Sequence, residues 1–517
     1  MKSFSLAGVV CVLCLCEVLF GGVYGGGGGT EESPYLISDP LHWQGLSATP
    51  DDWALHFRLT ANIDMNQMVV SPIGTYDDPF LGVIDGQNFA LENLTIDLPS
   101  AETVGVFGYI SGSAQIKNLH VLNVNIKGRK HVGGFVAYNG TPYITNCSVT
   151  GTVSGTERYV GGFAGSNYGP IADCYVHCNV SGASYVGGFA GDNEGSLFRC
   201  HAEGNVTGTA DEIGGLAGYS NCSITNSSAA GTVSGTKYVG GLVGRNDKAT
   251  VLDSFSSAAV SSTSDYCGGL VGYIREESIV QRCCATGTVA GNRYAGGLAG
   301  ISRGTILASY STGSVSGIEY LGGAVGFLSS PARLENVYAT GAVSGPEYRG
   351  GLVGLNSSGK VIHCYATGQL TGDVKVGGLC GYVLIDDNYE DRGNFWDTDI
   401  SHIYVSAMGT GRETEVMQTL STYIDAGWDF ANETANGTND YWRLCDDGTA
   451  YPKLSWQFSP GDIVCPEGVN LDDFNFLAQC WQQAECTGIP CSQADLNGDG
   501  SVQLEDLLLF AGEWLIF

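Results

Sequence analysis

The chain runs to 517 residues, 77 of them glycine, and only 15% of it is charged. Each interior glycine costs a helix ~1 kcal/mol relative to alanine, which excludes a mainly helical protein. With 23 Lys plus Arg against 53 Asp plus Glu, the formal charge of −30 argues against nucleic acid or an anionic membrane as partner and favours divalent cations.

At the N-terminus Lys2 precedes an apolar run from Phe4 to Phe20, and Val23-Tyr24-Gly25 puts small residues where a signal peptidase needs them. Residues 1–25 read as a secretory signal, so the protein is expected to be secreted, extracellular or at the cell surface, with no transmembrane span after cleavage. Three of the 18 cysteines fall in that stretch, leaving an odd number over a long chain.

From residue 104 to 385 the chain repeats itself. A Gly-Gly pair recurs at Gly133, Gly161, Gly187, Gly214, Gly240, Gly268, Gly296, Gly322, Gly350 and Gly377, always 26 to 28 residues apart. Within each unit the apolar runs are short, β-branched or aromatic, and bounded by Gly, Asn and Ser, which is the pattern of strands. No stretch holds a helical period for ten residues. The expected fold is therefore all-β, a parallel β-solenoid of about ten to eleven coils, each with about three short strands.

Aligned on their Gly-Gly pairs, the units form columns that should stack about 4.8 Å apart. One column runs from Val153 through Val180, Val206, Val233, Val260, Val289, Val315 and Val343 to Leu370, and a second from Ile144 to Val361. Both are expected inside. A column of Cys147, Cys174, Cys200, Ser227, Ser254, Cys283, Ser309, Val337 and Cys364 reads as a small packed position, where free Cys behaves as a small hydrophobe. Charged residues alternate in sign from Asp211 to Glu319, a device for register.

Beside them Tyr159, Tyr185, Tyr238, Tyr266, Tyr294, Tyr320 and Tyr348 share one column, interrupted by Glu212. A patchier second column holds Tyr175, His201, Phe255, Tyr310, Tyr338 and Tyr365. Exposed, such a stripe is a platform for a glycan or a partner; otherwise its stacking stabilises the solenoid. Tyr238, Tyr266, Tyr294, Tyr320 and Tyr348 are the ligand-surface candidates, and alternation alone does not say which face they occupy.

These units closely resemble the GLUG-motif repeat of bacterial secreted and surface proteins, Tyr238-Val239-Gly240-Gly241-Leu242-Val243-Gly244 being the plainest copy. By the same resemblance residues 30–103, with Pro72-Ile73-Gly74 and Phe80-Leu81-Gly82, form an N-terminal cap. Residues 386–458, with Gly393-Asn394-Phe395-Trp396-Asp397 and Gly427-Trp428-Asp429-Phe430, form a C-terminal cap. The resemblance implies adhesion, surface structure or carbohydrate association and no defined reaction.

Residues 459–517 read as a separate acidic module without Lys, Arg or His. Asp495, Asn497, Asp499, Ser501 and Asp506 fall at positions 1, 3, 5, 7 and 12 of a calcium loop, with Gly500 at the tight turn. Asp506 in place of the EF-hand glutamate, followed by Leu507, Phe510 and Trp514, resembles a small α-helical dockerin. A copy 33 residues upstream, Asp462 to Asp473, has Val464 and Pro466 where ligands belong, which argues against calcium there. Cys465, Cys480, Cys486 and Cys491 surround it, with three pairings open. The resemblance implies Ca2+ as cofactor and a cohesin-like or cell-surface protein as partner.

The expected function is a non-catalytic, secreted β-solenoid displaying an extended adhesive or carbohydrate-associated surface, tethered through that module. The alternative is a polysaccharide-degrading enzyme, a glycoside hydrolase or lyase. It would need a groove with two or three acids that depart from the repeat pattern. Gly300-Ile301-Ser302-Arg303-Gly304 matches a nucleophile elbow on paper, but no helix follows it, and no catalytic residue is assigned.

Overall fold

The computed structural model describes residues 22–514 apart from 373, 386–387, 432, 434, 460, 465–468, 483–490, 498 and 500. Most of the signal segment, and Cys465 and Cys486, lie outside the described residues. From Tyr35 to Arg412 the chain winds as an all-β parallel β-solenoid of about 13 turns. That exceeds the ten to eleven coils expected. The ladder starts ahead of the first Gly-Gly pair: Tyr35–Ile37, His56–Leu59 and Val83–Asp85 stack in register beneath Gln115–Lys117. These coils lack the repeat signature but keep its inward positions, with Phe57 and Ile84 buried.

Each repeat lays strand segments on three hydrogen-bonded faces. A 32-stranded sheet takes the two long stretches, a 10-stranded sheet the step into the Gly-Gly turn, and an 11-stranded sheet the stretch after it. Val153 to Leu370 are Cα partners from coil to coil, and so are Ile144 to Val361. Both columns are buried, as expected of strands whose apolar side must face away from water. The glycines are set by close approach of backbones. A Cβ on Gly240 would stand 1.9 Å from the Val243 carbonyl oxygen, and one on Gly272 would stand 2.6 Å from the Tyr238 carbonyl carbon.

Polar residues also stack inside. Asn139 donates through Nδ2 to Asn167 Oδ1 at 2.7 Å, Asn167 to Asn193 Oδ1 at 2.9 Å, and Asn193 to Ser220 Oγ at 3.0 Å, all fully buried. A buried amide is tolerable when it is bonded, and each of these amides donates to the next coil, with Asn139 Oδ1 at the end of the row left without a donor among the described residues. In the Cys/Ser column the side chain donates to the carbonyl two residues back, as Ser227 does to Thr225 at 2.9 Å and Cys364 to Ile362 at 3.1 Å. That shared bond explains why Cys and Ser interchange there.

At the N-terminal end the helix Pro40–Ala48, capped by Asp39, buries Trp43 against Phe107. At the other end Glu390–Arg392, Phe395–Asp397 and Thr410–Arg412 continue the ladder. Residues 414–458 then fold back along the outside of the last coils. Trp428, Trp442 and Leu454 cover Tyr338, Tyr365 and Phe395, and Trp456 Nε1 donates to the Ala308 carbonyl at 2.8 Å. Beyond them stand the helices Leu471–Gln479 and Leu504–Trp514, with a Cys480–Cys491 disulfide; Cys445 is disulfide-bonded as well. Among the described residues no helix is long and apolar enough to cross a membrane.

Candidate functional site

The tyrosine column sits at the corner between the 32-stranded and 10-stranded sheets. Tyr238, Tyr266, Tyr294, Tyr320 and Tyr348 all have positive φ, from 49° to 64°. A bulky residue reaches that region at a cost of about 1–2 kcal/mol, and the turn it makes breaks the in-out alternation of the strand. This is why sequence alternation was silent about their face. The rings lie half-buried on the outside and stack with centroids 4.8 to 5.2 Å apart and planes within 6° to 18°. Their faces cover one another, so the run presents ring edges and hydroxyls outward. In the charged column beside it Arg293 Nε meets Glu319 Oε2 at 2.9 Å. Lys237 stands over the Tyr238 ring, 4.6 Å from its centroid.

The order fails where Glu212 replaces a tyrosine. Tyr185 tilts 54° from Tyr159 and 56° from Tyr219, while His131 stacks 4.7 Å from Tyr159 and the Arg245 guanidinium lies over the Tyr219 ring. The neighbouring column of the 11-stranded sheet departs too, running Tyr138, Ser166, Asp192, Tyr219, Arg245, Tyr273. Glu212 Oε1 accepts from Arg245 Nη1 at 3.0 Å, and Asp247 Oδ2 accepts from Arg275 Nη1 at 2.7 Å. Asp192 is only 7% exposed and has no hydrogen-bond or ion-pair partner among the described residues. Burial pushes its carboxyl up to about 7, with Glu194 and Glu212 adding repulsion. Sequence reasoning marked Glu212 only as an interruption. It missed Asp192 and Arg245, because their column is too mixed to show a period.

In the acidic loop Asp499 N donates to Asp495 Oδ1 at 3.1 Å and to Asn497 Oδ1 at 2.9 Å, while Ser501 Oγ donates to Asp499 Oδ1 at 2.8 Å. Hydrogen bonds from Ser501 and Asn497 hold the Asp499 carboxyl below its usual range. The fully buried Asp506 carboxylate accepts from Asn497 N at 3.1 Å and Gln503 N at 2.9 Å. Asp473, 33 residues upstream, accepts from the matching amides of Val464 at 2.7 Å and Asn470 at 2.9 Å. The duplication seen in the letters is thus repeated in the hydrogen bonds. Donor chemistry in the second loop fits a hard cation, being all oxygen with three carboxylates in five donors. Among the described residues, though, no three acidic, His or Cys side chains already converge as a metal centre. The first loop differs: Asp462 Oδ1 is met by the buried Arg443 guanidinium at 2.9 Å, so a protein cation stands at its first position.

Other candidate nucleophiles are inward. Ser302 is fully buried with its Oγ 3.3 Å from the Gly304 carbonyl. Burial pushes the thiols of Cys178, Cys200, Cys267, Cys283 and Cys380 up to about 12, far from the thiolate that reacts.

Fold and surface together define a parallel β-solenoid built of glycine-paired coils. The chain carries GLUG motif repeats: the model described as the GLUG motif matches residues 128–154, 210–234 and 345–371. It is similar to halomucin of Haloquadratum walsbyi, 35% identical over 114 residues, which is 20% of this chain and 1% of halomucin. A protein of Evansella cellulosilytica described as a Gly-rich membrane protein is 29% identical over 127 residues, 22% of this chain and 15% of that one. The chain thus spans only small fractions of the curated relatives it matches. A Bacteroides ovatus structure described as an immunoglobulin A1 protease overlaps 84% of this chain and 95% of its own, at 18% identity and a TM-score of 0.33.

Proposed function

We propose that the protein is a secreted, non-catalytic β-solenoid at the cell surface, displaying an extended adhesive or glycan-associated face and tethered through a dockerin-like module that binds calcium. The observation that carries this reading is the row of half-exposed tyrosines repeated coil after coil from Tyr238 to Tyr348, which suits a long polymer better than a small substrate. The likeness to halomucin and to a Gly-rich membrane protein agrees with a surface location. A glycan array with the full chain tests it: retention of at least one polysaccharide without cleavage is expected, and retention of none overturns the display reading.

For the module, Asp495, Asn497, Asp499, the Ser501 carbonyl and Asp506 would hold one Ca2+, whose charge would offset the clustered carboxylates and order the turn ahead of Leu504–Trp514. The repeated amide pattern at Asp473 and Asp506 supports a two-loop, dockerin-like unit. Leu471, Phe474, Leu507, Phe510, Ala511 and Trp514 line an apolar groove of about 340 Å³ that would receive a cohesin-like or cell-surface protein. Calorimetry on the full chain should give one calcium, abolished by Asp499→Ala. A stoichiometry near two would mean the Asp462 loop binds as well, and no binding sinks the site.

The hydrolase reading gains from one observation, that Asp192, Glu212 and Asp247 are buried acids outside the repeat pattern. It loses on their pairing. Arg245 clamps Glu212 and Arg275 clamps Asp247, so two of these three acids are held in ion pairs rather than poised with Asp192 as a catalytic pair. Polysaccharide turnover abolished by Asp192→Asn would reverse that preference.

A further inference from the structure

In the early coils the 32-stranded sheet carries an outward row of His56, Val83, Gln115 and Tyr143, Cα partners from coil to coil, and two residues further along the same strands a row of Arg58, Asp85 and Lys117. Phe57, Ile84, Ile116 and Ile144 between them are buried, so both rows face solvent. The loop 28–34 stands against these rows, tied down by Gly28 N to the Ser33 carbonyl at 2.8 Å and by His56 N to the Gly29 carbonyl at 3.0 Å. Between them lies a cleft of about 360 Å³ lined by Glu31, His56, Arg58, Asp85, Gln115 and Lys117. In a chain with 53 acids against 23 basic residues, every other described arginine holds a carboxylate, a carbonyl or an aromatic ring. The exposed Arg58 side chain has no ion pair, hydrogen bond or ring contact among the described residues. Its neighbour Asp85 is already engaged, accepting from Asn118 Nδ2 at 3.0 Å, Gln87 N at 3.1 Å and Gln87 Nε2 at 2.8 Å, with Lys117 Nζ 3.6 Å away. One coil beyond Gln115, Tyr143 is 48% exposed and no second ring stacks on it among the described residues. Arg199, the cation whose field it feels, is held by Asp173 and lies over Phe198 instead.

We infer that this cleft and the Tyr143 ring together bind an acidic oligosaccharide, the Arg58 fork taking the carboxylate of a uronate and Tyr143 the apolar face of a pyranose. A guanidinium presents parallel N–H donors that match a planar carboxylate, and an unpaired one gives up only water to accept it. Tyr143 supplies a rigid apolar face, and His56 and Gln115 stand between the two with donors and acceptors for ring hydroxyls. Arg58 and Tyr143 lie three coils apart, about 14 Å at 4.8 Å per coil, so the span suits a short oligosaccharide better than a single sugar. A bare inorganic anion would leave the ring and the Gln115 amide unused. An acidic peptide is also the poorer occupant. The strands His56–Leu59, Val83–Asp85 and Gln115–Lys117 are each hydrogen-bonded on both sides, so this face offers no edge for a peptide backbone to extend. Glu31, exposed on the loop, is the acid at the rim and opposes the charge of the ligand.

The saccharide carrier rests on the glycan-associated reading above. The test is titration calorimetry of the full chain near neutral pH with cellotriose, with cellotriose oxidised at its terminal C6 to the carboxylate, and with a triglutamate peptide. The oxidised trisaccharide is expected to bind at least tenfold tighter than cellotriose, and the gap should narrow as salt rises, because the ion pair forms at an exposed site. Arg58→Gln should erase that gap and leave cellotriose binding as it was. Tyr143→Ala should weaken both sugars tenfold or more, and Glu31→Gln should tighten the acidic sugar alone. Arg392→Gln, an exposed arginine in the last coils, should change nothing. All four side chains are exposed, so each variant is expected to keep the unfolding midpoint of the parent. Equal affinity for the two trisaccharides, binding of neither, an unchanged gap in Arg58→Gln, or binding of the peptide as tightly as the acidic sugar overturns the site. Neutral glycans retained on the array alongside such a failure would leave the display reading intact, whereas retention of none would remove both.

Discussion

At the scale of single residues, two buried polar features carry measurable consequences. Asn167 bonds in both directions, so Asn167→Leu would strand the Asn193 side-chain carbonyl in the interior and leave the Asn139 amide only its bond to the Pro142 carbonyl. A loss of about 2–4 kcal/mol is expected, read as a lower denaturation midpoint. Asp192 gives a pH signature. Its carboxyl ionises near 3.8 in the unfolded chain and about 7 in the folded one, so the folded state holds the extra proton between those values. Stability contributed there is full below pH 4 and falls as pH rises to 7. The difference in stability between Asp192→Asn and the parent should therefore grow in the variant's favour across that range, by on the order of 1–3 kcal/mol. His131 works in the opposite sense: burial lowers it to about 4, so its contribution is present above pH 6.5 and lost as pH falls.

At the scale of elements, the glycines set the shape of the coil. Gly272→Ala would press a methyl group onto the Tyr238 backbone of the neighbouring coil, with an expected cost of about 1–3 kcal/mol. Hydrogen exchange should show lost protection centred on Val239-Gly240 rather than spread over the rod. The inward columns were legible because side chains one coil apart obey the same burial rule, so Val153 to Leu370 aligned as soon as the period was known. Three things were not. The left-handed tyrosines escape alternation because a corner resets it. Asn139, Asn167 and Asn193 are polar letters that only a stack of coils can bury at low cost. The early coils at Tyr35, Phe57 and Ile84 keep the inward side chains without the Gly-Gly turn, so the period did not reveal them. The oxygen-rich spacing from Asp495 to Asp506 was readable from the letters. The positions of Asp192 and Arg245 were not, because residues that depart from a repeat have no period of their own.

At the scale of the whole molecule, the way residues 414–458 lie along the rod decides how it would bear a load. If the helical module is the tether, tension enters through Leu454 to Phe458. That stretch is fastened at Ala308 and Tyr338, two to three coils back from the end, by Trp456 and Gln457. Pulling then slides the strap across several coils at once instead of unzipping the terminal strand bond by bond. Sharing force over parallel attachments raises the force at rupture. Trp456→Ala, which removes the bond to the Ala308 carbonyl and the ring packed 5.7 Å from Tyr310, should lower the first unfolding force in single-molecule pulling from the C-terminus. Pulling of the coils through Tyr143 and Tyr175 should be unaffected by the same change. The strap would then act as a shock absorber for a rod whose coils are each held only by their neighbours.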